Sequence, residues 1–255
     1  VFKIKSHNKE LALRCWKCID YDDCVALCRR MVCISRELRR TQLPYFIDFN
    51  FYERGIITCK GVYPLMSMDW IYDLDLKQYI NTNLFNTGKL YTLANNFAMM
   101  VADLHTFQIS HGDLQVTNIK VREDGSLFLI DYDTMFTPSL YGDYDKVKGN
   151  PCFQHHSRLN NELMSPHSDY FSEYIIYLGI IALANYPQLY TYLDLDKNDF
   201  IFTQEELYDI SNSRICKFIY LKNNKKLINI SKSLINAWEA SNIDKVIPLE
   251  NILNK

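Results

Sequence analysis

Between Ser110 and Asp133 the chain reads SHGDLQVTNIKV and then, past an Asp124-Gly125 turn, LFLIDYD. Two short apolar strands flank that turn and carry acid and amide groups at one end. Asp113 and Asn118 precede the first strand, and Asp131 closes the second. A tight turn folds two such strands back on each other, so the pattern converges an acid, an amide and a second acid. Phosphoryl transfer needs this set: one acid orients and deprotonates an attacking hydroxyl, and oxygen ligands hold Mg²⁺ against nucleotide phosphates. Mg²⁺ keeps several waters, so two protein ligands such as Asn118 and Asp131 suffice, where zinc would require His and Cys.

Positioning these groups takes a scaffold. With 255 residues, 48% of them hydrophobic, the chain can bury roughly 70–75% of its unfolded surface, enough for a full enzyme core. The first 70 residues read as short strands around one helix. Leu11 to Trp16 is strand-like, and Tyr21 to Arg40 has helical spacing of Leu27, Met31, Ile34 and Leu38. Ile47 to Tyr52 and Val62 to Met68 are further strands, with a turn expected near Gly55. From Asp73 onward the pattern turns helical, with a long apolar-periodic stretch from Leu90 to Phe107 that ends at the chemistry-bearing segment. Thr203 and Glu206 form a capping-box pattern before Leu207, and Ile228 to Trp238 is amphipathic. No Pro/Gly/Ser-rich linker interrupts the chain. An α+β protein of two domains folded against each other is therefore expected, residues 1–71 forming a small β-rich part and residues 72–255 a larger helical one.

Composition narrows the partners. A net charge of −2 with interspersed signs offers no basic field for nucleic acid; Lys222 to Lys226 reads as solvated surface. Cys24, Cys28 and Cys33 lie in one helical stretch as small apolar thiols, which is cytoplasmic usage. Cys15 and Cys18 in CWKC lack a second Cys or His pair at zinc-finger spacing. No signal peptide is visible, and the most apolar run, Tyr174 to Ala184, is about half the length of a bilayer span. No membrane association is expected. The chain begins with Val1, and part of the N-terminus is expected to precede it.

The run His111-Gly112-Asp113-Leu114-Gln115-Val116-Thr117-Asn118, followed by Asp131-Tyr132-Asp133, resembles the protein-kinase-like superfamily, whose catalytic loop is H-x-D-L-x-x-x-N and whose metal motif is D-x-G. It is similar to a bacterial branch with HGDLQ and LIDYD, and the resemblance covers nearly the whole chain. It implies a bilobal kinase-like fold that binds ATP and Mg²⁺, with Asp113 as catalytic base, Asn118 and Asp131 as metal ligands, and His111 as scaffold for the loop. Gly149-Asn150-Pro151-Cys152-Phe153 resembles the end of an activation segment. Asp169, in Ser168-Asp169-Tyr170-Phe171-Ser172, takes the place of the acid that holds the catalytic-loop backbone; a plain helix N-cap reads equally well there. Ala12 would lie over adenine, Arg14 would stand where kinases place the phosphate-binding Lys, and Met68, Asp69 and Trp70 would form the adenine-reading hinge. Met68 and Trp70 also read as inter-lobe core.

The pattern departs from the family in four places. Arg14 replaces Lys, and a guanidinium is not a substitute in shape for an ammonium. Lys17 has the opposite strand parity to Arg14 and reads as surface. The helix partner Glu would fall near Cys33, where no acid stands; Glu37, one turn on, is either that partner after a register shift or an ordinary exposed Glu. No G-x-G-x-x-G loop occurs, as expected if it precedes Val1, and Gln115 replaces the Lys common after the base. Three classes remain open: a protein kinase with a protein hydroxyl as acceptor, a small-molecule phosphotransferase like aminoglycoside and choline kinases, and a nucleotide-binding pseudokinase serving as an interaction module. Thr134, Thr137, Ser139, Tyr141 and Tyr144 are candidate phosphate acceptors in the activation-type segment. The acids between Leu193 and Glu206 leave a small-molecule pocket open, and the oligomeric state is not encoded in any visible pattern.

Overall fold

A computed structural model describes residues 1–6, 9–16 and 21–253. Lys17 and Cys18 lie outside the described residues, and the readings placed on them go no further. The chain divides into two units, Val1–Tyr72 with Phe128–Asp133, and Asp73–Leu127 with Thr134–Lys255. The structure is mixed α+β, with the larger antiparallel sheet in the first unit and most helices in the second.

In the first unit, β1 (Phe2–Ser6), β2 (Lys9–Cys15), β3 (Phe49–Thr58) and β4 (Gly61–Asp69) form an antiparallel sheet of order β1-β2-β4-β3. Helix α1 (Tyr21–Thr41) packs on β3 and β4. Its acids Asp22 and Asp23 stand in the first turn and its bases Arg39 and Arg40 in the last, each sign complementing the helix dipole. Met31, Ile34 and Leu38, at helical spacing, are buried; burying each such side chain stabilises the unit by about 1.5–3 kcal/mol. The turn expected near Gly55 is not there. Gly55 lies inside β3 at a bulge between Tyr52 and Ile56, and the chain reverses after Thr58 instead. A bulge and a turn share glycine as their local signal, and only pairing to β4 separates them. Phe128–Asp133 joins this unit although the chain position assigns it to the helical part. The Leu129 N–H donates to the Tyr45 carbonyl at 2.8 Å. Buried Tyr132 packs on Phe46 and Phe49, and its hydroxyl accepts from the Ile47 N–H at 2.9 Å.

In the second unit, β5 (Leu74–Asp75) leads directly into α2 (Leu76–Thr82), whose N-terminus is closed by a reciprocal Asp75–Gln78 capping box. Next come α3 (Thr87–Thr106), β6 (Ile119–Val121), which pairs antiparallel with β5, and β7 (Leu127–Leu129), which begins here and ends in the first unit. The turn between β6 and β7 is closed by Arg122, whose carbonyl accepts from the Gly125 N–H at 2.9 Å. Helix α4 (Tyr170–Asn185) is apolar on every side and buried from Phe171 to Ala184, so it is the axis of the core. Around the core lie α3, α5 (Leu189–Tyr192), α6 (Arg214–Lys222), α7 (Lys225–Glu239) and α8 (Leu249–Leu253). Thr203 and Glu206 exchange the two bonds of a capping box, but the segment they open, Glu205–Asn212, is a 3₁₀ turn kinked at Asp209. Among the described residues no helix is long and apolar enough to cross a membrane.

Candidate active site

The loop 109–118 follows α3, which ends as Gln108 turns into the left-handed region (φ +54°). Ser110 then exchanges two backbone bonds with Phe136, at 3.2 and 2.9 Å. His111 is fully buried. Its N–H donates to Asp169 Oδ2, and the Gly112 N–H donates to Asp169 Oδ1 at 2.9 Å. The Thr134 hydroxyl donates to the His111 carbonyl at 3.0 Å, and Arg158 Nη1 donates to the Gly112 carbonyl. Arg158 also binds Gln154 Oε1 and, through Nε at 2.9 Å, Asp145 Oδ2. Both loop peptides are thus held by side chains that are themselves buried. Burial pushes the Asp169 carboxyl up from its ordinary range, against the pull of His111, Arg158 and the two N–H donors.

This arrangement aims Asp113. Gln115 Nε2 donates to Asp113 Oδ2 at 2.9 Å, Asn118 Nδ2 to the same oxygen at 3.1 Å, and the Asn150 N–H to Oδ1 at 2.8 Å. Asn118 Nδ2 also reaches the Asp113 carbonyl at 2.9 Å. Gly149 precedes Asn150 at φ +73°, and a Cβ there would stand 2.5 Å from Asp113 Oδ1, so the close approach requires glycine. The Asn150 side chain links Gln115 Oε1 (3.1 Å) to Asp199 Oδ2 (3.2 Å). Burial, with Asp199 beside it, pushes the neighbouring Cys152 thiol up to about 12, so it is no nucleophile.

In the first unit, Arg14 on β2 sends Nη1 to Asp131 Oδ1 and Nη2 to Asp133 Oδ2. Trp16 Nε1 donates to Asp133 Oδ2 at 2.9 Å, and Arg30 on α1 donates to the Asp133 carbonyl at 3.2 Å. Asp131 has φ +68°, an uncommon backbone for a non-glycine residue. Burial lowers the Arg14 pKa, but Asp133 and Asp131 outweigh it and the net direction is up; burial pushes Asp133 up despite Arg14. Two carboxylates facing one guanidinium hold it in its charged form.

Ala12 and Met68 are cross-strand partners, Ala12 on β2 and Met68, buried, on β4. Asp69 and Trp70 line an open depression of about 490 Å³ with Lys5, Lys9, Glu10 and Tyr72, a lining that includes neither Ala12 nor Arg14. The Trp70 N–H already donates to the Glu10 carbonyl at 2.9 Å, so it cannot also read an adenine edge. Glu37 is neither the ion-pair partner of Arg14 nor an exposed residue: it is buried and pairs with Arg40 one turn on. Asp169 makes no side-chain cap on α4, since its carboxylate is committed to the loop. Thr134 and Thr137 are buried and hydrogen-bonded, which removes them as phosphate acceptors, whereas Tyr141 and Tyr144 are exposed. Sequence reasoning missed the grip of Gln115 and Asn150 on Asp113, and the roles of Arg158, Asp133 and Trp16. The I-D-x-D doublet was the available signal for Asp133.

Among the described residues no group of three or more His, Cys, Asp or Glu is placed to hold a metal ion. The donor types nevertheless fit Mg²⁺. In the second unit the Asn118 amide nitrogen is committed to Asp113, which leaves its carbonyl oxygen able to ligate; in the first, Asp131 keeps Oδ2 beyond its bond to Arg14, and Asp133 Oδ1 is buried with no hydrogen-bond partner. All are hard oxygens. The chain matches no protein-family model and no curated protein.

Proposed function

We propose that the chain is an ATP- and Mg²⁺-dependent phosphotransferase of bilobal kinase-like fold, acting as a protein kinase on a hydroxyl side chain. The observation that carries this reading is the Asp113 carboxylate, held on both oxygens by N–H donors from Gln115, Asn118 and Asn150 while Asp169 fixes the loop beneath it. A carboxylate that meets only donors stays an acceptor for a hydroxyl proton, and its direction is set before the substrate arrives. Asp113 then orients the attacking hydroxyl and takes its proton. Asn118 and Asp131 would hold Mg²⁺, which neutralises phosphate charge when bound. Arg14 supplies a fixed positive charge for phosphate oxygens, and Ala12 and Met68 offer an apolar strand face to the base. The described cysteines are all free, in keeping with a cytoplasmic protein.

A small-molecule acceptor is the second reading. Asp199 favours it, because its bond to the Asn150 amide brings a second, exposed carboxylate into the network around Asp113. Transfer of labelled γ-phosphate from Mg²⁺–ATP to protein and to small hydroxyl acceptors tests both. Asp113→Ala should lower transfer by about 10²–10⁴-fold, and Asp131→Asn, which removes a metal ligand, should abolish transfer. Undiminished transfer by Asp113→Ala removes Asp113 as base. ATP binding with no transfer to any acceptor leaves a pseudokinase.

A further inference from the structure

The mechanism proposed above gives Asp131 two claimants, Arg14 and a cation, and the surroundings of Arg14 show how both can be served. We propose that Asp133 is the positioning residue for Arg14, holding the guanidinium by itself so that Asp131 can exchange Arg14 for a divalent cation. The cation step rests on the phosphotransferase reading; the hold of Asp133 on Arg14 does not.

The two carboxylates bind different nitrogens of the same fork, Nη1 for Asp131 and Nη2 for Asp133, so one bond can open while the other stays. Their anchoring differs. The Asp133 side chain is 17% exposed and that of Asp131 36%, and a charge pair strengthens as water is removed from it. Asp133 is also fixed from two other directions, by Trp16 Nε1 on its carboxylate at 2.9 Å and by Arg30 on its carbonyl at 3.2 Å. The Arg14 guanidinium lies 5.5 Å from the Trp16 ring centre, so the same indole steadies both members of the pair. Asp133 Oδ1 is buried without a partner, which leaves the guanidinium to compensate its charge. Asp131, by contrast, has Arg14 as the one partner of its carboxylate among the described residues. It is the more exposed and less tethered acid. A lysine at position 14, with a single compact ammonium, could not divide its bonds in this way.

The test is NMR of the protein labelled with ¹⁵N-arginine, reading the slowed guanidinium rotation of Arg14, assigned through Arg14→Lys. Asp131→Asn should keep the slowed Arg14 signal and Asp133→Asn should lose it. A signal that survives in Asp133→Asn, or vanishes in Asp131→Asn, overturns the proposal. Should Asp133→Asn not fold, Trp16→Phe removes one anchor of Asp133 and keeps every charge; an Arg14 signal unchanged there also overturns it. Titration with Mg²⁺–ATP is the second arm. Asp133→Asn should bind about tenfold or more weakly than wild type, the equivalent of one charged hydrogen bond, and equal affinities count against the proposal. If the wild-type protein binds no Mg²⁺–ATP, the phosphotransferase reading and the cation exchange fall together, and the NMR arm alone decides whether Asp133 holds Arg14.

Discussion

Replacing Asp169 separates two roles that the sequence could not. Its carboxylate accepts from the N–H groups of His111 and Gly112 and is buried with both. Each hydrogen bond to a charged group contributes about 1.5–3 kcal/mol, so Asp169→Ala should cost about 3–6 kcal/mol, a large part of the roughly 5–15 kcal/mol that holds a domain together. Asp169→Asn is the cleaner probe. It keeps one carbonyl acceptor but turns an NH₂ toward the second peptide N–H, so it should lose about half of that figure. The assays are urea unfolding and amide hydrogen exchange at residues 111 and 112, which should accelerate; under the proposed phosphotransferase reading, kcat should fall more than ATP affinity because the held loop aims Asp113. A helix N-cap accepts Asn as readily as Asp. Wild-type stability and wild-type exchange at His111 and Gly112 in Asp169→Asn would therefore refute the anchoring argument.

His105 on α3 faces Glu173 of α4 through Nε2 (2.9 Å) and Glu250 of α8 through Nδ1 (2.9 Å). Only an imidazolium offers a proton to each, which overrides burial and raises its pKa to about 9 even though burial also pushes Glu173 up. A raised folded-state pKa makes this stability complete below the unfolded value near 6.5 and lost as pH climbs through about 9, on the order of 3 kcal/mol; urea midpoints at pH 6–10 should fall more steeply in wild type than in Glu250→Gln. Arg158→Ala breaks a buried pair with Asp145 and should destabilise by about 3–5 kcal/mol, and Arg158→Lys should not restore it, since a lysine cannot bond Asp145, Gln154 and the Gly112 carbonyl at once; thermal melts compare the two. Gly149→Ala forces a left-handed residue at about 1–2 kcal/mol and presses its Cβ on Asp113, so under the proposed phosphotransferase reading kcat should drop further than the loss of stability explains.

Local pattern made the long helices α1, α3, α4 and α7 and most strands of the fold legible, because Met31, Ile34 and Leu38, or the apolar run of α4, follow a single face or none. That Asp113 and Asn118 lie together was legible for a similar reason: both sit within one short segment, and Asn118 Nδ2 bonds the Asp113 carboxylate and carbonyl. What stayed hidden depends on distant partners. Whether Gly55 makes a turn or a bulge is decided by pairing across to β4. Whether Glu37 is exposed depends on the packing of α1 and its pair with Arg40, and whether Asp169 caps α4 or holds residues 111–112 depends on a partner 57 positions away in the chain. The partner of Arg14 was sought on the following helix, where the kinase-like spacing points, yet its partners are Asp131 and Asp133, 117 and 119 residues away.

The cost of the buried charges argues that the loop's geometry matters more here than stability does. Asp145, Arg158, Asp169 and Glu173 are all nearly inaccessible in the second unit, and taking each from water costs several kcal/mol that its partners only partly return. Apolar residues of similar volume would often hold a core together as well or better. What apolar residues cannot do is bind a peptide from both sides. Asp169 takes the N–H groups of residues 111 and 112 while Arg158 and Thr134 take the two carbonyls, leaving the backbone before Asp113 no second orientation in which those groups are satisfied. A methionine at position 158 together with leucine at 145 should therefore be tolerated by the fold better than Arg158→Ala alone, yet leave Asp113 poorly aimed. Near-wild-type melting with accelerated amide exchange at 112 and 113 in that double variant would show the charges serving direction, whereas unchanged exchange would reduce them to packing.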